Sequence, residues 1–217
     1  MKERPIIFSA PMVRAILEGR KMQTRRVVKP VSDDDGFVLL DYGQGPWPYR
    51  SSDGETPMRV VKRGGKLYLD ETPHACPYGQ PGDGLWVRET FQRFTDDGEI
   101  LYKADPAGAA AMNELKHDEC LEARWRPAIH MPRWASRILL EVTGVRVERL
   151  ADISKDDAMS EGIVSQHDGG FGLADSTHYD FVDPVESYAS LWESINGPGS
   201  WEANPWVWVV EFKRVQP

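Results

Sequence analysis

Near the C-terminal end, Trp206-Val207-Trp208-Val209-Val210 places five apolar residues in succession, followed by Glu211 and Phe212. A strand with one wet face alternates apolar and polar residues, whereas a strand apolar on both faces reads as the centre of a covered sheet. A second pattern constrains its neighbours. Ile138, Leu140 and Val142 alternate with Glu141 and Thr143, and past Gly144 the apolar parity flips to Val145 and Val147. A period of two changes phase only through an extra residue, so a bulge or tight bend is expected there. Shorter strands are expected at Ile6–Phe8, Thr24–Val28, Phe37–Leu40, Lys66–Leu69 and Leu85–Arg88, with a hairpin pairing Phe91–Phe94 and Ile100–Lys103 around Asp96-Asp97-Gly98. Short strands, few helices, no βαβ rhythm and no internal repeat predict an α+β, mainly β, small barrel with peripheral helices.

The helices carry their own signals. Ser9 precedes Ala10-Pro11, with Met12, Ala15 and Ile16 at helical spacing and Gly19 as a stop. Ala107–Cys120 reads as a small helix. Ser154 and Asp157 form a capping-box variant opening a short helix that Gly162 ends. Pro184–Ile195 is amphipathic, with Tyr188, Leu191, Trp192 and Ile195 along one face. The chain of 217 residues, 41% apolar with eight Trp, has the size of one domain spanning 1–217 and enough apolar mass to fill a core. Composition marks insertions at about 31–65, 105–130 and 164–184.

No window approaches the roughly 20 apolar residues of a membrane span, and the run after Met1 is too short for a signal peptide. Cys76 and Cys120 cannot build a disulfide framework. The expectation is a soluble, cytoplasmic protein with no membrane partner. Charge is unevenly spread. Residues 1–30 hold eight Lys/Arg against Glu3 and Glu18, a balance of +6 that leaves −14 for the rest of a chain of net charge −8. Residues 151–190 carry nine acids against Lys155 alone. That distribution excludes broad, non-specific coating of nucleic acid but allows a local basic site.

The segment Gly19-Arg20-Lys21-Met22-Gln23-Thr24-Arg25-Arg26 is the most unusual in the chain. It is either a solvated basic turn or an amine and a hydroxyl meeting across a turn. Burial and the cations Arg20, Arg25 and Arg26 would lower the Lys21 pKa from about 10.4. A neutral amine could then take the Thr24 proton, as in Ser–Lys hydrolases. Glu89, at the end of a later strand beside Arg88, is either the acid of that site or the partner of Arg25 or Arg26.

Gly19-x-Lys21-x-x-Thr24-x-Arg26, with Pro81-Gly82-Asp83-x-Leu85-Trp86-Val87-x-Glu89, resembles the ASCH domain of the PUA-like superfamily. Ile153-Ser154-x-x-Asp157-Ala158-x-x-Glu161-Gly162-Ile163 resembles that family's short helix, and Trp206–Phe212 its closing strand. The chain is similar to long ASCH proteins encoded in phages and prophages. The resemblance implies a PUA-like barrel whose cleft faces RNA or a modified nucleoside. One branch of the family hydrolyses N4-acetylcytidine, with Lys as proton acceptor, Thr as nucleophile and Glu as donor. Those roles fall on Lys21, Thr24 and Glu89, with Arg26 suited to a phosphate, a base carbonyl or an oxyanion. No metal or organic cofactor is implied. The alternative is a non-catalytic RNA- or modified-base-binding module, or a protein acting on single-stranded RNA.

Three further groups stand out. Arg124-Trp125-Arg126 and His130-Met131-Pro132-Arg133-Trp134 mix cations with aromatics, a composition that suits single-stranded nucleic acid. Equally, Trp125 and Trp134 could anchor a loop while the arginines face water. His74, Cys76, His117 and Cys120 have poor zinc spacings, and no metal site is expected from them. Gly169-Gly170-Phe171-Gly172 reads as an acidic-loop segment or a flap.

Overall fold

The computed structural model describes residues 1–28, 58–63, 66–73, 76–93, 98–117, 124–166, 169–174 and 181–215. The strand expected at Phe37–Leu40 lies outside them, as do His74 and Cys120. In chain order the elements are β1 (Glu3–Ile7), α1 (Ala10–Leu17), β2 (Gln23–Val27), β3 (Met58–Arg63), β4 (Lys66–Pro73), β5 (Gly84–Arg88), β6 (Phe91–Arg93), β7 (Ile100–Tyr102), α2 (Pro106–His117), β8 (Leu139–Arg149), α3 (Lys155–Ser160), β9 (Ile163–Ser165), β10 (Phe171–Leu173), α4 (Pro184–Asn196) and β11 (Trp206–Val215).

The protein is α+β, with more strand than helix. One five-stranded sheet, ordered β1-β5-β8-β11-β2, organises it; β3–β4, β6–β7 and β9–β10 are separate two-stranded ribbons. β11 is internal, laddered antiparallel to β8 on one side and β2 on the other. Its two apolar faces bury in two cores. Trp208, Val210 and Phe212 pack with Ile6, Phe8, Val13, Leu85, Val87 and Leu140. Val207 and Val209 pack with Leu150, Ile153, Ala158, Ile163, Tyr188 and Trp192 beneath α3 and α4. The expected phase change in β8 is present: Glu211 faces Gly144 while Phe212 faces Val142, so Thr143 is the extra residue.

The expected barrel is not closed. The sheet ends on β1 and β2, which share no ladder. It is nevertheless strongly curled. Flat, five strands would hold their edges about 19 Å apart, whereas Arg26 Nη2 of β2 donates to the Ile7 carbonyl of β1 at 2.6 Å. The physical reason for the gap lies in the short link. β1 feeds directly through α1 into β2, and α1, whose Val13 and Ile16 pack in the core, stands between the two edges where a fifth pairing would close the sheet.

Several local expectations hold. Asp157 N donates to the Ser154 hydroxyl at the α3 cap. Gly19 sits at φ +75°, and the amides of Arg20 and Lys21 both donate to the Ala15 carbonyl, forming the turn that precedes β2. Ser9 occupies the α1 N-cap position without a side-chain cap bond. On α4, Tyr188 and Trp192 are buried but Ile195 is 56% exposed, so the apolar face expected there is broken at its last turn.

Candidate functional site

A cleft of about 350 Å³ opens where the two sheet edges fail to pair. One wall is the end of β1 and the start of α1, through Phe8, Ser9 and Met12. The second is β2, through Thr24 and Arg26, and the third is α4, through Tyr188, Leu191 and Trp192. Thr90, Ala128 and Glu161 complete it. Ile195 lies at this cleft, which explains its exposure: the α4 face that would pack further meets open space instead.

Thr24 is paired with Val210 across the β2–β11 ladder and is 4% exposed. Lys21, on the turn before β2, is buried more deeply, its side chain wholly inaccessible. Its Nζ donates to the Glu161 carboxylate at 2.6 Å and to the Glu161 carbonyl at 2.8 Å. Glu161 sits where α3 ends, and Gly162 follows at φ +109°. A Cβ on Gly162 would lie 3.4 Å from that of Ala15 and 3.7 Å from that of Lys21. Those are ordinary contact distances, so it is the left-handed turn at the α3 end, rather than lack of room, that calls for glycine.

Burial holds the Lys21 amine below its ordinary value, against the opposing pull of Glu161, with Arg26 and Arg25 adding to the depression. Arg20 does not contribute as expected; it pairs with Glu18 at the surface. Arg25, expected with Arg20, Arg26, Arg88, Trp125 and Trp134 among the substrate-binding residues, also lines the cleft, but its guanidinium is committed elsewhere. It is buried in a network, reaching Glu148, Asp157 at 3.0 Å and Glu161 at 3.3 Å. Arg146 joins Glu148 and Asp157, and Gln23 donates to Asp157. Arg26 remains at the cleft, its guanidinium 5.4 Å from the Phe8 ring centroid.

Among the described residues, Arg26 Nε and Trp192 Nε1 have no hydrogen-bond partner; both belong to residues that line the cleft, and both atoms are themselves buried behind its surface. Tyr188, also in the wall, has its phenol held well above its ordinary value by burial and then by Glu161.

Glu89 occupies the end of β5 as expected but points elsewhere. Its carboxylate receives Arg137 Nε at 2.9 Å and Nη2 at 3.1 Å, and Arg137 also binds Asp105. Its partner is thus neither Arg25 nor Arg26. Burial raises the Glu89 carboxyl, with Arg137 opposing. The neighbouring Thr90, rather than Glu89, lines the cleft. The carboxylate that meets Lys21 is Glu161, which sequence reasoning placed only within a helix motif. Arg137 and Trp192 were likewise missed: an isolated arginine carries no spacing signal, and Trp192 read as part of a core stripe.

The remaining expected residues lie apart from the lysine. Arg88 donates to the carbonyls of Met131 (3.0 Å) and Ile129, and its guanidinium stacks 5.3 Å from the Trp86 centroid. Trp125 is half-buried, and Trp134 is 61% exposed. Among the described residues no cluster could hold a metal ion; burial pushes the Cys76 thiol up to about 11. No helix among them is long and apolar enough to cross a membrane. Comparison of the chain with protein-family models, curated proteins and solved structures returns no match.

Proposed function

We propose that the curled sheet is a PUA-like core whose unpaired edges hold a modified nucleobase, and that the protein hydrolyses an N4-acylated cytidine-type substrate. The observation that carries this reading is Thr24 in the wall of a base-sized cleft, on the same short segment as a fully buried lysine paired to Glu161. The cleft volume falls within the about 300–1,000 Å³ of small-molecule sites, and its Phe8, Leu191 and Trp192 surfaces suit a flat ring.

In this mechanism the Thr24 hydroxyl oxygen attacks the acyl carbonyl carbon and its proton passes to the Lys21–Glu161 pair. The carbonyl becomes an oxyanion facing the Arg26 donors. The bond from acyl carbon to N4 breaks, N4 takes the proton back, and the acyl group remains as an ester on Thr24. Water hydrolyses that ester and regenerates the hydroxyl. Glu161 is the carboxylate of the reaction. Glu89, clamped by Arg137, fixes the strand end that presents Thr90.

The test is turnover of N4-acylated cytosine nucleosides by the wild type, Thr24→Val and Lys21→Arg. The rate should rise with pH as the Lys21 amine deprotonates, with a midpoint below 10.5 because burial depresses it. Arginine keeps the charge but not the base function. A second reading, a binding module without turnover, is favoured by the Lys21–Glu161 pairing, in which the ammonium has two acceptors on one residue, one of them a carboxylate. It predicts nucleobase binding by wild type and Lys21→Arg alike, with no hydrolysis by either.

A further inference from the structure

Beside the cleft lies a surface on which aromatics and arginines alternate. Residues 84–93 and 124–137 contain six arginines and one acid, Glu89, in a chain of net charge −8. Among the described residues, acids from other elements pair with two of the six: Glu3 with Arg133 at 2.6 Å, and Asp105 with Arg137. Arg93 lies 5.1 Å from the Trp134 ring centroid. Arg124 and Arg126 are exposed, and Arg126 is bridged through its backbone to Phe91 of β6.

Trp134 is not needed to hold its loop. The loop is anchored by Met131 and Ala135, which bury with Phe91 against Ile100 and Tyr102, and by the Tyr102 hydroxyl donating to the Ala135 carbonyl at 2.9 Å. Arg88 fastens the same turn through the Ile129 and Met131 carbonyls. A large indole left 61% exposed on a rigid loop, with a guanidinium over it, has no packing role to explain it. The chain links the two places: Ala128 lines the cleft and opens the turn that leads to Trp134.

We propose that this face is a stacking and phosphate platform for single-stranded RNA, so that the cleft takes its base from within a chain rather than as a free nucleoside. The proposal rests on the nucleobase reading of the cleft and adds the flanking nucleotides. An exposed indole offers a π-face to any base, and the solvent-facing arginines meet phosphates. An acidic peptide would match the charge but has nothing to place on Trp134.

The experiment measures binding of a fluorescently labelled, unstructured pyrimidine RNA of about eight nucleotides to the wild type, Trp134→Ala and Arg93→Ala, with poly-glutamate as competitor. The wild type should bind, and Trp134→Ala should weaken binding by about five- to a hundredfold. The affinity should fall with salt at a logarithmic slope of about −2 to −3, the signature of a few phosphates. Equal binding by Trp134→Ala, no binding by the wild type, or equal displacement by poly-glutamate overturns the platform. Hydrolysis separates the two readings. Trp134→Ala should raise KM for an acylated cytidine inside the RNA while leaving the free nucleoside unaffected. Equal kcat/KM for both substrates in the wild type overturns the platform and leaves the cleft chemistry intact. Trp134-dependent RNA binding without hydrolysis of either substrate supports the platform and sinks the chemistry.

Discussion

The molecule buries two carboxylates beside the cleft region, Glu161 and Glu89, and partners them differently. Glu161 receives a lysine whose side chain is wholly buried, with Arg25 behind it. Glu89 receives the two-pronged arginine Arg137, which is a quarter exposed and shared with Asp105. A guanidinium keeps its proton at any working pH, so the second cluster is a fixed clamp. An ammonium forced into a dry site can lose its proton, so the first cluster can exchange one. A buried acid at a strand end is thus not by itself a proton donor; its partner decides whether any proton can move.

The largest expected difference is in turnover. Thr24→Val and Lys21→Arg should each lower kcat/KM for an acylated cytidine by about a thousandfold or more, whereas Glu89→Gln should leave it within about tenfold, because Gln still accepts from Arg137. Steady-state assays of the three variants check this, and a Glu89→Gln loss as deep as that of Lys21→Arg would break the contrast.

Stability comes next. Glu161→Ala strands the Lys21 ammonium in a dry site with only a carbonyl for company and should cost about 3–5 kcal/mol in urea unfolding. Arg137→Ala should cost less, about 1–2 kcal/mol, because Arg137 is partly solvated and screened. Arg137→Lys should recover only part of that, since the fork to both Glu89 oxygens is lost.

The smallest effects are pH slopes, and their signs are opposite. Lys21 has a folded pKa below its unfolded 10.5, so across that window the unfolded chain binds more protons and stability rises with pH. Glu89 has a folded pKa above 4.5, so from 4.5 up to its folded value stability falls as pH rises. Urea titrations across pH should show the alkaline rise vanish in Lys21→Met and the acidic fall steepen in Arg137→Ala, which loses the counter-charge opposing it.

Much of this fold was legible because it rests on short-range pattern. The both-sides apolar run of β11, the phase change at Thr143, the Ser154 cap and the Gly19 stop each follow from local chemistry and appear where expected. The barrel did not follow, because closure depends on whether β1 and β2 meet, and nothing in either strand encodes the other's distance. At the site, Lys21 and Thr24 stood out by their spacing within one segment. The partner of Lys21 did not: Glu161 is 140 positions away in sequence. Glu89 carried the clearer motif signal, yet its partner Arg137 comes from just before β8. Charge pairing over such separations is set by how strands stack, which residue type alone does not reveal.

The strand order has a consequence for how the cleft comes into being. Among the described residues β2 has one ladder partner, β11, so the backbone bearing Thr24 pairs with residues nearly the whole described chain later. During synthesis, which delivers N-terminal segments first, β2 waits unlatched while β5, β8 and α4 emerge. The Thr24 hydroxyl would therefore reach its place in the cleft wall only when residues 206–215 insert between β8 and β2. An unfinished chain holds the Thr24 segment but not the groove around it. Pulse-labelling of amides during refolding should find β2 gaining protection together with β11, and early protection of β2 alone would contradict this order.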